Sequence, residues 1–235
     1  MCMTTDHLSP FDRPVTLRQS VAQHLRDMMQ QGALKPGERL REQALCQKLQ
    51  ISRSTLREAL RTLEAQRLIE IQPHRGPVVA SMSPGEIRDL YDMRGLLEGY
   101  IAREFALHAA APQRQALALA FERLATAVQT DELANLLQAK QAFYQVLLQG
   151  CPNRVAAEMH DSLVARINLL RATSLSRPDR AAQSLGEIGL IVQAIERGDG
   201  QGAQRAAQRH IRCAQAAAFE VLETIESQVL ETVHE

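Results

Sequence analysis

The sequence predicts a mainly α protein: three short helices closed by a small β-hairpin, then an all-helical bundle. Three observations predict it. Leu and Ala dominate a composition that is 45% apolar but only 3% aromatic, with no Trp. That balance favours packed helices over a β-sandwich. Apolar residues recur at helical spacing along most of the chain. One stretch breaks the period: "LIEIQPHRGPVVASM" is β-branched and centred on the turn "QPHRG".

The 235 residues are comfortable for two domains. Residues 1–13 are polar and read as a loose tail. They lack the apolar core of a secretory signal, and no uncharged run reaches membrane-spanning length. Cys2, Cys46, Cys151 and Cys213 are scattered without C-x-x-C spacing and read as reduced thiols. A cytoplasmic protein with no membrane partner is expected.

Residues 14–80 form the first expected domain. "VTLRQSVAQHLRDMMQQGAL" places Leu17, Val21, Leu25 and Met28/Met29 on one helical face. "KPGE" makes a turn. The short helix "REQALCQKL" and the helix "RSTLREALRTLEAQRL" follow, then the hairpin. Residues 81–235 form the second. "SPGE" opens it with Ser83 as N-cap, Pro84 at the first position and Glu86 closing a capping box. Helices are expected at 84–110, 112–129, 131–149, 154–176, 179–197 and 200–230, with Pro112, Pro152 and Pro178 near the breaks. Residues 1–80 carry 12 Lys+Arg against 8 Asp+Glu, and the remainder 15 against 19. A basic first domain on an acidic second suits contact with a polyanion.

Helix, short helix, turn, helix and hairpin make the layout of a winged helix-turn-helix. On the third helix Leu56, Ala59, Leu60 and Leu63 share one side, while Ser54, Arg57 and Arg61 share the other. Arg53 lies in the first turn beside Ser52, the expected N-cap. Arginine reads guanine edges bidentately, and hydroxyls and helix N-terminal amides bind phosphate. The same face could serve as an ordinary solvated surface. The neighbouring short helix, the hairpin tip at Arg75-Gly76 and the basic balance favour the DNA reading.

These residues resemble the DNA-binding domain of the GntR family of bacterial transcription regulators. The likeness runs through "L-x-P-G" (Leu34, Pro36, Gly37), "SR-S/T-x-x-REAL-x-x-L" (Ser52 to Leu63) and the wing "P-x-R-G-x-x-V" (Pro73, Arg75, Gly76, Val79). The helical remainder, opening with "YDMRGLLEG", resembles the FadR-type branch. The resemblance implies an all-α effector-binding and dimerisation domain. It implies DNA contacts from Arg41 and Gln43 at the short helix, from Ser52, Arg53, Ser54, Thr55 and Arg57 at the third helix, and from His74, Arg75 and Gly76 at the wing. Relatives often carry Arg where Gln43 stands; Gln can contact an adenine edge.

In the second domain, polar residues intrude on apolar helical faces. Arg94 and Glu98 lie among Ile87, Leu90, Leu97, Ile101 and Phe105. Lys140, with Tyr144, interrupts a stripe that includes Leu133, Leu137 and Leu148. Arg166 lies near Val155, Met159 and Leu170. His210 centres on Ala203, Ala207, Ala214 and Val221. Each has a plain structural reading: an i,i+4 ion pair for Arg94 and Glu98, a head bent to solvent for Lys140, a hydrogen-bonded core imidazole for His210. Their coincidence on several helices favours a shared polar site.

FadR-type domains often hold a divalent metal through an Asp, a His four residues later and a His from each of two later helices. The resemblance places Lys140, Tyr144 and Ile188 at three of those positions and leaves only His210. No metal and no other cofactor is therefore expected. Instead the Lys140 ammonium is expected to replace the metal's charge and, with Arg94, Glu98, Tyr144, Arg166, Ile188 and His210, to form the site of a small organic acid. The whole is expected to be a homodimer binding a palindromic double-stranded DNA operator, acting as a repressor. Two alternatives remain at this stage: a closed helical domain in which Lys140 pairs with Glu98, and an enzyme using Lys140 as a Schiff base.

Overall fold

The computed structural model describes residues 16–31, 33–130, 132–177 and 179–233, with side-chain environments up to residue 224. The expected tail 1–13 and Pro178 lie outside them. Nine helices and one two-stranded antiparallel sheet are present among the described residues.

The first unit runs α1 (Leu17–Gln30), α2 (Glu42–Leu49), α3 (Arg53–Ala65), β1 (Ile69–Gln72) and β2 (Gly76–Val79). Helix α2 ends where Gln50 turns left-handed, at φ 53. Ser52 then starts α3: its hydroxyl accepts the Thr55 backbone N–H at 3.1 Å. Leu56, Ala59, Leu60 and Leu63 of α3 pack against Val21, Leu25 and Met29 of α1. Leu17, expected on the buried face of α1, is exposed instead; it sits in the first turn, ahead of Val21, where the buried stripe begins. The hairpin pairs Ile69 with Val79 and Gln72 with Gly76. The "L-x-P-G" turn ties back to it. Gly37, at φ +77, donates its N–H to Val79 O at 2.9 Å, and Arg39 bridges to Val78. A side chain at that positive φ would be strained.

The second unit is α4 (Pro84–His108), α5 (Ala111–Val128), α6 (Leu133–Gly150), α7 (Arg154–Leu175), α8 (Arg180–Glu196) and α9 (Gly200–Val233). The expected capping box opens α4: Ser83 and Glu86 satisfy each other's backbone N–H. Helices α4 and α9 form the spine, with α7 and α8 against it and α5 and α6 behind. Two apolar clusters fill the bundle. One centres on Phe105, Phe143, Leu147, Ile188 and Ile191, the other on Ile87, Leu90, Tyr91, Ile167 and Ile211. On α4 and α9 a polar layer separates them: Arg94 and Glu98 on one helix, His210 on the other.

Helix α7 departs from the expected face. Val155 and Met159 are exposed at 64% and 47%, while Ala156, His160, Ile167, Leu170 and Arg171 are buried. One residue of offset rotates a helical face by about 100°. The outer flank of α7 has its own use: Ala165 and Leu169 join the core of the first unit.

Candidate functional site

Two sets of polar side chains stand out, one exposed on the first unit and one buried in the second. On the first unit Arg53, Ser54 and Arg57 are exposed along the N-terminal half of α3. Ser52 Oγ lies 2.8 Å from both Ser54 Oγ and Thr55 Oγ1, so its first duty is to hold the helix start. Arg57 is braced by Glu42 of α2 at 3.1 Å. Arg41 and Gln43 are exposed at the start of α2. The wing tip turns through His74 at φ 60 and Gly76 at φ 81. Arg75 folds back there, donating to Gly37 O at 3.2 Å and Gln72 Oε1 at 3.3 Å. A helix N-terminus flanked by hydroxyls and guanidiniums, with a basic wing beside it, is shaped for a DNA groove and its phosphates.

In the bundle five helices send polar groups inward. Helix α4 contributes Arg94 and Glu98, and α6 contributes Lys140 and Tyr144. Helix α7 contributes His160, Arg171 and Ser174, α8 Arg180 and Ser184, and α9 His210; all are buried. Glu98 is one hub. Its Oε1 takes Arg94 Nε at 3.0 Å and lies 3.7 Å from both His160 Nε2 and Arg171 Nη2. Glu187 is the other. Arg180 donates to both its oxygens, at 3.0 and 2.7 Å, and His210 Nδ1 lies 2.6 Å from Oε2. Lys140 Nζ donates to Ser184 Oγ at 2.8 Å. It does not pair with Glu98. Tyr144 presents its ring: Arg171 sits 4.0 Å above the centroid, and His160 stacks at 6.4 Å.

Burial alone would raise the Glu98 carboxyl, but Arg94, His160 and Arg171 outweigh it and hold it well below the usual carboxylate range. Burial likewise opposes ionisation of Glu187, yet hydrogen bonds from His210 and Arg180 hold it at about 2. Burial, then the Arg171, Arg94 and Arg180 guanidiniums, push the Lys140 ammonium well below the usual lysine range. His210 is pushed down to about 4 by burial and by Lys140. It is therefore neutral at pH 7, with Nδ1–H donated to Glu187. Among the described residues eight buried side-chain nitrogen and oxygen atoms have no hydrogen-bond partner: Arg94 Nη1, Glu98 Oε2, both His160 nitrogens, Arg171 Nε and Nη2, Arg180 Nε and His210 Nε2. Four of the eight are guanidinium donors.

Both units match known families. Residues 17–79 match the bacterial regulatory proteins of the gntR family, and residues 89–212 match the FCD domain. The chain belongs to the GntR family. The HTH-type transcriptional repressor RspR of Escherichia coli is 25% identical over 177 residues, covering 75% of this chain and 78% of RspR. The Glc operon transcriptional activator of the same species is 29% identical over 219 residues, covering 82% and 85%. The solved structure of E. coli McbR/YncC shares the fold, with a TM-score of 0.75 at 19% identity over 88% of this chain and 99% of that one. This GntR regulator is thus a DNA-binding transcription regulator and not an enzyme. No helix among its described residues is long and apolar enough to cross a membrane.

The metal of FadR-type relatives does not fit this donor set. Lys140 Nζ faces Ser184, and Ile188 is a fully buried apolar side chain in the Phe143 cluster. Tyr144 is held as a neutral phenol by burial and by Glu98. His210, with Nδ1 on Glu187, offers a single free imidazole nitrogen, Nε2. A divalent cation would add like charge beside three guanidiniums and a lysine. Among the described residues no three His, Cys, Asp or Glu side chains are grouped to hold a metal.

The structure brings Arg94, Glu98, Lys140, Tyr144 and His210 together and leaves two sequence candidates out. Ile188 belongs to the apolar wall. Arg166 is half-exposed near Arg67 and Glu86, at the junction with the first unit; on the rotated face of α7 it cannot reach the cluster. Sequence reasoning missed His160, Arg171, Ser174, Arg180 and Ser184, and gave Glu187 no role. Arg180, Ser184 and Glu187 recur at helical spacing on the side of α8 that carries Ile191. That signal was available.

Proposed function

We propose that this GntR regulator is a ligand-responsive repressor whose buried cluster binds a small carboxylate effector. The observation that carries the reading is the charge balance. Arg94, Arg171, Arg180 and Lys140 are buried against only two carboxylates, Glu98 and Glu187, with guanidinium donors left unspent. Buried cationic donors without partners are costly, and an anion would satisfy them. The helical units are proposed to dimerise, so that two winged helices address the half-sites of a roughly palindromic operator in the cytoplasm. The effector would bind one arrangement of the DNA heads better than the other. Helix α7 supports such coupling, because it carries His160 and Arg171 on one side and Ala165 and Leu169 in the first unit's core on another. Repression follows the name of RspR; the Glc operon relative is named an activator.

A thermal-shift screen of small organic acids, followed by footprinting upstream of the protein's own gene with and without each hit, tests the proposal. A hit should raise the melting temperature and weaken operator protection. Failure of every acid to shift melting would leave the cluster a structural device and sink the effector reading. A monomer by light scattering, footprinting one half-site, would sink the dimer.

A further inference from the structure

Lys140 is more than one positive charge among several. The chain has only three lysines, Lys35, Lys48 and Lys140, and every other one of its 27 basic residues is arginine. Lys35 and Lys48 are exposed, whereas Lys140 is buried. A guanidinium stays protonated in a protein, but an ammonium can give up its proton. With Lys140 protonated the cluster holds an excess of two positive charges; with Lys140 neutral, one. Among the described residues no carboxylate lies within ion-pair distance of its amine, whose hydrogen bond goes to the neutral hydroxyl of Ser184. The closed cluster therefore favours the amine with its lone pair free. A desolvated lysine beside other cations is the arrangement that makes this side chain a nucleophile. Beside it stand unspent donors of Arg94, Arg171 and Arg180, able to take a carboxylate.

We infer that Lys140 holds the effector covalently, as a reversible imine with the carbonyl carbon of a small 2-oxo monocarboxylate whose carboxylate rests on the unspent guanidinium donors. The inference deepens the effector reading and rests on it. The Nζ lone pair attacks the carbonyl carbon and a C–N bond forms. The carbonyl oxygen then leaves as water with the two amine protons, giving a C=N double bond. Nothing is oxidised or reduced, and hydrolysis reverses the step. One carboxylate matches the one residual positive charge. The bond selects for a carbonyl: a 2-hydroxy acid offers the same carboxylate but cannot condense.

The full-length protein is incubated with glyoxylate, pyruvate or 2-oxobutyrate, each with and without sodium borohydride, and read by intact mass and peptide mapping. Melting temperatures are taken in parallel with the same acids and with glycolate and lactate. The expected result is a borohydride-dependent adduct, one per chain, mapped to Lys140 in large excess over Lys35 and Lys48. Lys140→Arg should abolish it. Ser184→Ala, which keeps the amine, should retain it. Mapping on the unmutated protein does not depend on either variant folding. An absence of adduct from all three 2-oxo acids, or equal labelling of the exposed lysines, overturns the imine. If no adduct forms while oxo and hydroxy acids stabilise equally, the imine falls and the carboxylate site stands. If no acid stabilises and none is trapped, both fall.

Discussion

Arginine does opposite things in the two units of this regulator. On α3 Arg53 and Arg57 stand in water, where their charge is cheap even though Arg57 also meets Glu42. In the bundle Arg94, Arg171 and Arg180 are buried, where charge is tolerated only because Glu98 and Glu187 face it. The exposed set can lose a member without harm to the fold. The buried set cannot. The contrast separates residues whose charge water stabilises from residues whose charge needs a protein partner.

Removing a buried counter-charge should have the largest effect. Glu98→Gln strips Arg94 and Arg171 of their carboxylate and should destabilise the helical unit by about 3–5 kcal/mol. Urea unfolding followed by circular dichroism measures it; a loss below about 1 kcal/mol would mean that water already solvates the cluster.

Acid comes next. His210 is at about 4 against an ordinary 6.5, so the unfolded chain takes up a proton in that window which the folded chain refuses. Stability should therefore fall as pH drops from 6.5 towards 4, by up to roughly 3 kcal/mol. Glu187, held at about 2 against 4.5, adds a second loss below pH 4.5. His210→Gln should flatten the upper window in melting curves at constant ionic strength. Parallel curves for the two proteins would contradict the assignment.

On the exposed side, Arg53→Ala should leave melting unchanged and weaken operator binding by about 1–3 kcal/mol. A gel-shift titration at fixed salt reads this, and unchanged affinity would remove Arg53 from the base contacts. The smallest effect is expected at Arg166, between the two surfaces. Arg166→Ala should change stability by no more than about 0.5 kcal/mol and leave any acid-induced melting shift intact. Loss of that shift would return Arg166 to the site.

The first unit was almost wholly legible. Its turn glycines, N-cap Ser52 and β-branched hairpin each obey a local rule, and the exposed candidates on α3 lie where helical angles put them. The bundle was legible as helices but only partly as a site. Arg94, Glu98, Lys140 and His210 declared themselves by interrupting clean stripes. His160 and Arg171 did not, because α7 is apolar on more than one side: Ile167 and Leu170 face the bundle, and Ala165 and Leu169 face the first unit. A helix packed on two flanks has no single stripe to read.

By itself the sequence determined the mainly α architecture, the winged helix with its exposed basic face, and the polar donors at Lys140 and His210 that interrupt apolar stripes. Local chemistry suffices for these, since caps, turns, periodicity and donor type act over a few residues. The tertiary structure alone decided which charges share one cluster, that Lys140 meets Ser184 and not Glu98, and that Arg180 and His210 converge on Glu187. Those partners come from different turns and different helices. A buried ion pair depends on how helices rotate against one another, and no spacing along the chain encodes that rotation.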